Sequence, residues 1–162
     1  MGATVNSELS GKVAIVTGAG RMRGIGRATA VILARMGSNV VVTGTGRNPD
    51  TFPHDEKDVG WRDIDSTVEE IQANGVRGFP LVVDVSSEMD VRRMIDSTIE
   101  EFGRLDIIVN NAAAPWGPDR VPVLDLSAEV FKDVIDIKLM GTFYCSKAAA
   151  GQMVNQGDGG RI

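Results

Sequence analysis

The residues of this chain best suited to binding chemistry come early. The run Thr17-Gly18-Ala19-Gly20-Arg21-Met22-Arg23-Gly24-Ile25-Gly26 follows an apolar stretch at 12–16 and precedes a segment of helical period at 27–36. Glycine lets the backbone turn sharply and leaves it bare for a ligand's approach. A helix starting at such a turn directs unpaired N–H groups and its positive dipole end at whatever sits there. The combination suits a pyrophosphate, and the strand-before, helix-after context makes a dinucleotide the expected ligand. The spacing is not G-x-G-x-x-G, because Arg23 stands where the third glycine would fall. Other reactive side chains invite blander readings. Cys145 lies in a helical pattern and reads as a small buried apolar residue. His54, the single histidine, reads as a surface residue. Glu56, Asp58, Asp63 and Asp65 read as a charged loop face without a metal-like constellation.

Short Val- and Ile-rich runs alternate with longer stretches of helical period, the pattern of βαβ units with a parallel sheet. The expected fold is α/β, a doubly wound parallel sheet of the Rossmann kind. Strands are expected at 12–17, 39–43, 78–83 and 106–110, each buried on both faces, with a fifth starting near Arg161. Helices are expected at about 25–36, 64–73, 87–102 and 127–155, with Gly37, Gly75, Gly103 and Gly157 just past their ends. In the last helix Val130, Val134, Ile137 and Phe143 recur near helical spacing and are expected to pack on the sheet. The segment 45–62 has two prolines, many charges and no periodicity, and reads as an extended loop beside the adenosine end of a bound dinucleotide. Ligands of open α/β sheets lie beyond the carboxyl ends of the strands. Four sets of candidate residues fall there: 17–26, 43–47, Asp84-Val85, and 110–113.

The composition narrows the partners. The chain has 162 residues, enough for one domain, with 43% apolar and 24% charged residues and a net charge of −5. That charge argues against non-specific binding to nucleic acid or an anionic membrane, leaving a small molecule as the expected partner. No stretch approaches the length of a bilayer span, and residues 1–10 show no export pattern. One cysteine permits no internal disulfide, so cytoplasmic residence is expected.

These motifs, in this order, resemble the short-chain dehydrogenase/reductase family. Its loop reads T-G-x-x-x-G-x-G, whereas five residues separate Gly18 from Gly24 here instead of three. The resemblance extends to Asp84-Val85, to Asn110-Asn111-Ala112, to Gly141-Thr142-Phe143 and to Gly159-Gly160-Arg161-Ile162, covering essentially the whole chain. It is general toward the 3-oxoacyl thioester reductases. It implies that residues 1–162 are an incomplete dinucleotide-binding domain, ending where such enzymes begin the strand that leads to their catalytic Ser and Tyr-x-x-x-Lys.

The resemblance also assigns roles. Gly18, Gly20, Arg23, Gly24, Ile25 and Gly26 would form the cofactor loop. Asp84 and Val85 would hold the adenine, leaving Ser86 or Ser87 to cap the next helix. Asn111 and Ala112 would meet the cofactor ribose region, and Asn110 would tie its strand to a neighbour. Ala113 replaces the family's glycine. Strand two ends in Thr43-Gly44-Thr45-Gly46-Arg47, without the carboxylate that takes the ribose hydroxyls of NAD. With Arg23 matching the basic residue of NADP-using members, and Thr45 and Arg47 nearby, NADP(H) is expected over NAD(H).

Hydride transfer in the family needs a Tyr, a Lys and a Ser. The one tyrosine, Tyr144, precedes Lys147 by three residues rather than four and lies in the helix before the catalytic strand, so it reads as packing. Lys138 stands where the family has an Asn that holds a relay water through a local helix distortion. No catalytic residue and no metal site is assigned, and no turnover by the chain itself is expected. Two other readings remain: a non-catalytic nucleotide-binding or interfering subunit, and a methyltransferase of related fold. The second normally needs an acidic residue after strand two. A full-length relative would be a homo-oligomer.

Overall fold

The computed structural model describes residues 7–114 and 117–162. Of the N-terminal stretch 1–10 read above, the first six residues lie outside the described residues. Four parallel strands, β1 (Val13–Val16), β2 (Asn39–Gly44), β3 (Gly78–Val82) and β4 (Ile107–Val109), form one sheet in the order β3-β2-β1-β4. Ile15 is paired with Val41 on one side and Ile108 on the other. The chain builds outward from β1 to β3 and then returns to place β4 on the other side of β1. The strand order therefore reverses between β1 and β4, which opens a crevice at their carboxyl ends. Arg161 bridges Ile107 in parallel, beginning a fifth strand beside β4 as expected.

Strand pleating sends alternate residues to opposite faces, and both faces are covered. Val16, Val40 and Val42 pack with Ala30 and Ala34 of α1 (Ile25–Arg35) and with Ile64, Val68 and Ile71 of α3 (Ile64–Gln72). Ile15, Val41 and Ile108 pack on the other face with Val91, Met94 and Ile95 of α4 (Glu88–Phe102) and with Cys145, Ala149 and Met153 of α6 (Gly141–Gln156). Strand β3 departs from the expectation of burial on both faces: it is an edge strand, its residues half-buried and Val82 exposed. That position accommodates Pro80, whose missing N–H would break an interior ladder.

Gly37, Gly75, Gly103 and Gly157 all have positive φ at the helix stops. The single helix expected at 127–155 is instead α5 (Ala128–Ile135), a π-helical turn at Asp136–Met140, and α6. Ser127 caps α5 by accepting the Val130 N–H at 3.2 Å. Of its expected sheet-facing residues, Val130, Val134 and Ile137 are half-buried, but Phe143 is exposed and stacks near Tyr144 and Lys147. The segment 45–62 is not structureless. It holds a 3-10 turn at Pro49–Thr51 and a short helix α2 (His54–Asp58).

Candidate functional site

The glycine loop is built against the carboxyl ends of β1, β2 and β4. The Thr17 N–H donates to Val109 O at 3.1 Å and the Ala19 N–H to Thr43 O at 2.8 Å. The Thr17 hydroxyl oxygen accepts the backbone N–H groups of Asn111 and Ala112, both at 3.0 Å. Gly18 has φ +67°, and a Cβ there would come within 2.8 Å of Ala112 Cα. A Cβ at Gly26 would overlap the Asn111 amide and lie 2.7 Å from Gly18 O. These two glycines are therefore sterically required. Helix α1 has Gly24 at its N-cap, with no side-chain cap and no acidic residue in its first turn, leaving its N–H groups and dipole for a ligand. Ile25 lies exposed at this mouth.

The strand tie expected of Asn110 is made by Asn111 instead. Asn111 ties β4 to β1, its side-chain amide donating to Thr17 O at 2.8 Å and Gly18 O at 2.9 Å. Asn110 reaches α6 instead, donating to Ser146 Oγ at 3.0 Å, while its own Oδ1 is buried without a partner. Asp84 is exposed and accepts the Ser86 N–H and hydroxyl at 2.9 and 2.6 Å, and Val85 is buried beneath it. Ser87 is the cap of α4, accepting the Asp90 N–H at 3.2 Å. Thr17, Val85, Asn110, Ala112, Ile137 and Gly141 line one small cleft, so the loop, the Asp84-Val85 turn and the π-helical turn meet there. Gly141 permits this approach, since a Cβ on it would come within 2.8 Å of Val85 Cγ2.

The longer glycine loop has its own support, which the sequence reading missed. Glu56 Oε1 accepts the Met22 N–H at 2.9 Å, the Trp61 indole donates to Gly20 O at 2.7 Å, and Thr67 Oγ1 donates to Ala19 O at 2.8 Å. Arg47 donates to Glu56, to Asp63 Oδ1 and to Gly20 O at 2.9, 2.9 and 3.3 Å and lies over the Phe52 ring. This corrects two expectations. Glu56 and Asp63 are buried, not part of a charged surface, because both are bound to Arg47. Arg47 in turn is largely buried and committed to them, not presented to a ligand. Burial by itself lowers its pKa, but hydrogen bonds to Glu56 and Asp63 outweigh this and raise it. Arg23 is exposed and paired with Asp55 at 2.8 Å, and Thr45 is exposed just beyond β2. The signal available beforehand was the loop's two extra residues, whose backbone groups need partners.

Tyr144 packs half-buried against the core, and Lys147 pairs with Glu88 at 3.5 Å. Cys145 is buried, which pushes its thiol pKa up to about 11. His54 is exposed beside Asp58. Lys138 is exposed within the π-helical turn. Among the described residues no group of His, Cys, Asp or Glu could hold a metal ion, and no helix is long and apolar enough to cross a membrane.

A doubly wound parallel sheet with a glycine-rich first turn at its switch point defines a nucleotide-binding Rossmann architecture. The family model for short chain dehydrogenases matches residues 12–162, and the chain belongs to that family. It is 41% identical over 155 residues to the short chain dehydrogenase/reductase astE of Aspergillus oryzae, covering 95% of this chain and 52% of that protein. It is 37% identical over 151 residues to the 3-oxoacyl-(acyl-carrier-protein) reductase FabG of Staphylococcus aureus, covering 93% and 54%. Carveol dehydrogenase from Mycobacterium avium in complex with NAD superposes with a TM-score of 0.78 at 31% identity, over 95% of this chain and 53% of that one. The chain thus spans about half the length of the relatives it matches.

Proposed function

We propose that residues 1–162 are the cofactor-binding portion of an oxidoreductase that moves a hydride between a nicotinamide dinucleotide and a carbonyl or secondary alcohol. The observation that carries this reading is the pair Gly18 and Gly26, whose missing side chains bring the loop onto Ala112 and Asn111 beneath an uncapped helix start. The loop N–H groups and α1 would hold the pyrophosphate, and Asp84 and Val85 the adenine. Asn111 and Thr17 would fix the loop, with the Ala112 backbone near the nicotinamide ribose. The bound cofactor supplies the hydride.

The preference for NADP(H) expected from Arg23 and Arg47 loses its cationic support. Arg47 is taken up by Glu56 and Asp63 and Arg23 by Asp55, a poor setting for a 2′-phosphate, and we favour NAD(H). Turnover needs a Tyr-x-x-x-Lys pair and a Ser that these residues do not supply, and Tyr144 is committed to packing. A non-catalytic nucleotide-binding subunit is the second reading, favoured by Phe131, Leu139 and Phe143, apolar yet exposed along one continuous helical segment. The same surface suits a homo-oligomer, and the buried Cys145 suits a reducing compartment such as the cytoplasm.

Fluorescence titration of the protein with NADH, beside S-adenosylmethionine as a control, tests the reading. Saturable binding of NADH alone supports it, and binding of S-adenosylmethionine alone would replace it with a methyltransferase. Assay of the 162-residue chain with a panel of ketones is expected to show no oxidation of NADH or NADPH.

A further inference from the structure

Strand β2 ends at Gly44 without a side chain, yet a carboxylate occupies the space beside it. A Cβ built on Gly44 would lie 3.5 Å from Asp63 Oδ2, and one built on Gly20 would overlap Asp63 Oδ1. The Asp63 side chain is thus wedged between the glycine loop and the end of β2. In a dinucleotide fold that junction is where an acidic group meets the adenosine ribose. Here the carboxylate arrives from the far end of the segment after β2, nineteen residues beyond Gly44 in the chain.

Three features set Asp63 apart from an ordinary structural aspartate. Its side chain is nine-tenths buried, and while Oδ1 accepts from Arg47 Nε at 3.1 Å and Nη2 at 2.9 Å, Oδ2 has no partner. A buried carboxylate oxygen without a donor is costly, and a ligand hydroxyl would relieve it once a small side-chain shift uncovers Oδ2, which is closed to solvent in the unliganded protein. Among the described non-glycine residues, Asp63 alone has positive φ, at +55° with ψ −127°. It stands at the N-cap position of α3 but makes no cap hydrogen bond, so the usual use of an aspartate there is not made.

We infer that Asp63 is the cofactor-selecting residue, its Oδ2 accepting a hydroxyl of the adenosine ribose in place of a carboxylate on β2. Arg47 holds the carboxylate in position through Oδ1, and Gly20 and Gly44 leave room for it. The inference rests on the dinucleotide reading above and deepens it. A 2′-phosphate would meet this carboxylate and be disfavoured.

The test is fluorescence titration of the protein and its D63N variant with NADH and with NADPH, with folding checked by circular dichroism. The unaltered protein is expected to bind NADH more tightly. D63N is expected to lose about tenfold in NADH affinity while NADPH binding does not fall, as one charge-assisted hydrogen bond would give. A double variant, D63A with G44D, returns a carboxylate to the same space from β2 and is expected to restore the preference for NADH. It also serves if D63N fails to fold. A folded D63N that keeps the original NADH-to-NADPH ratio overturns the inference and leaves the dinucleotide reading standing. Binding of neither cofactor by the unaltered protein overturns both.

Discussion

Glu56 Oε1 accepts the backbone N–H of Met22 at 2.9 Å, so a carboxylate from α2 holds the tip of a loop thirty-four residues away. Its other oxygen accepts from Arg47 at 2.9 Å in a largely buried pair. Replacing Glu56 by Ala leaves the Met22 N–H and one side of Arg47 without their partner. Loss of one member of a buried pair costs about 3 kcal/mol. We expect E56A to lower the urea midpoint accordingly and to weaken NADH binding, because the loop relaxes. An unchanged midpoint would show that the clamp contributes nothing.

Gly26 admits no side chain. A Cβ there would overlap the Asn111 amide that donates to Thr17 O and Gly18 O, so G26A must displace Asn111 or move the start of α1. We expect NADH affinity to fall at least tenfold, with far-UV circular dichroism retained. G151A is the control, since a Cβ at Gly151 meets nothing within 4 Å and removes a helix-destabilising glycine. Equal affinity in G26A and G151A would refute the close-packed account of the loop.

The adjacent asparagines predict unequal costs. N111A removes two donors to backbone carbonyls at the β1–β4 junction and should cost about 2 kcal/mol in denaturant unfolding. N110A removes a single bond to Ser146 from a side chain whose Oδ1 already lacks a partner, and should cost about 1 kcal/mol or less. The reverse order would return the strand tie to Asn110.

That reassigned strand tie shows where sequence reading stops. Two identical residues at a strand end face opposite ways, and only the pleat decides which meets β1. Strands β1 and β2 were legible because Val and Ile are buried on both faces, and the four glycine stops were legible because the chain needs positive φ there. The edge position of β3 had one visible clue, Pro80. The segment 45–62 has no periodicity, and its order comes from long-range partners: Arg47 with Asp63, Trp61 with Gly20, Glu56 with Met22. Charge spacing alone read Glu56 and Asp63 as surface groups, because their burial depends on Arg47 turning inward. Phe143 went the other way, apolar in type and exposed in place.

At the opposite end of the sheet, Asp106 joins β1 to β4. Its buried carboxylate accepts the Val13 N–H at 2.9 Å, Lys12 Nζ at 3.0 Å and Arg104 Nε at 2.7 Å. Burial by itself would raise its pKa, but the hydrogen bonds from Arg104, Val13 and Lys12 outweigh that and lower it from 3.8 to about 2. Between those values the unfolded chain binds the proton that the folded one refuses, so stability rises with pH. The contribution is fully present above the unfolded value and is lost as pH falls through the folded value of about 2. The shift corresponds to about 2 kcal/mol. We expect unfolding free energy to drop by that amount between pH 5 and pH 2 on account of this group. In D106N that part of the slope should vanish while stability at neutral pH is already reduced. A D106N protein with the same acid limb as the unaltered chain would show that Asp106 does not govern it.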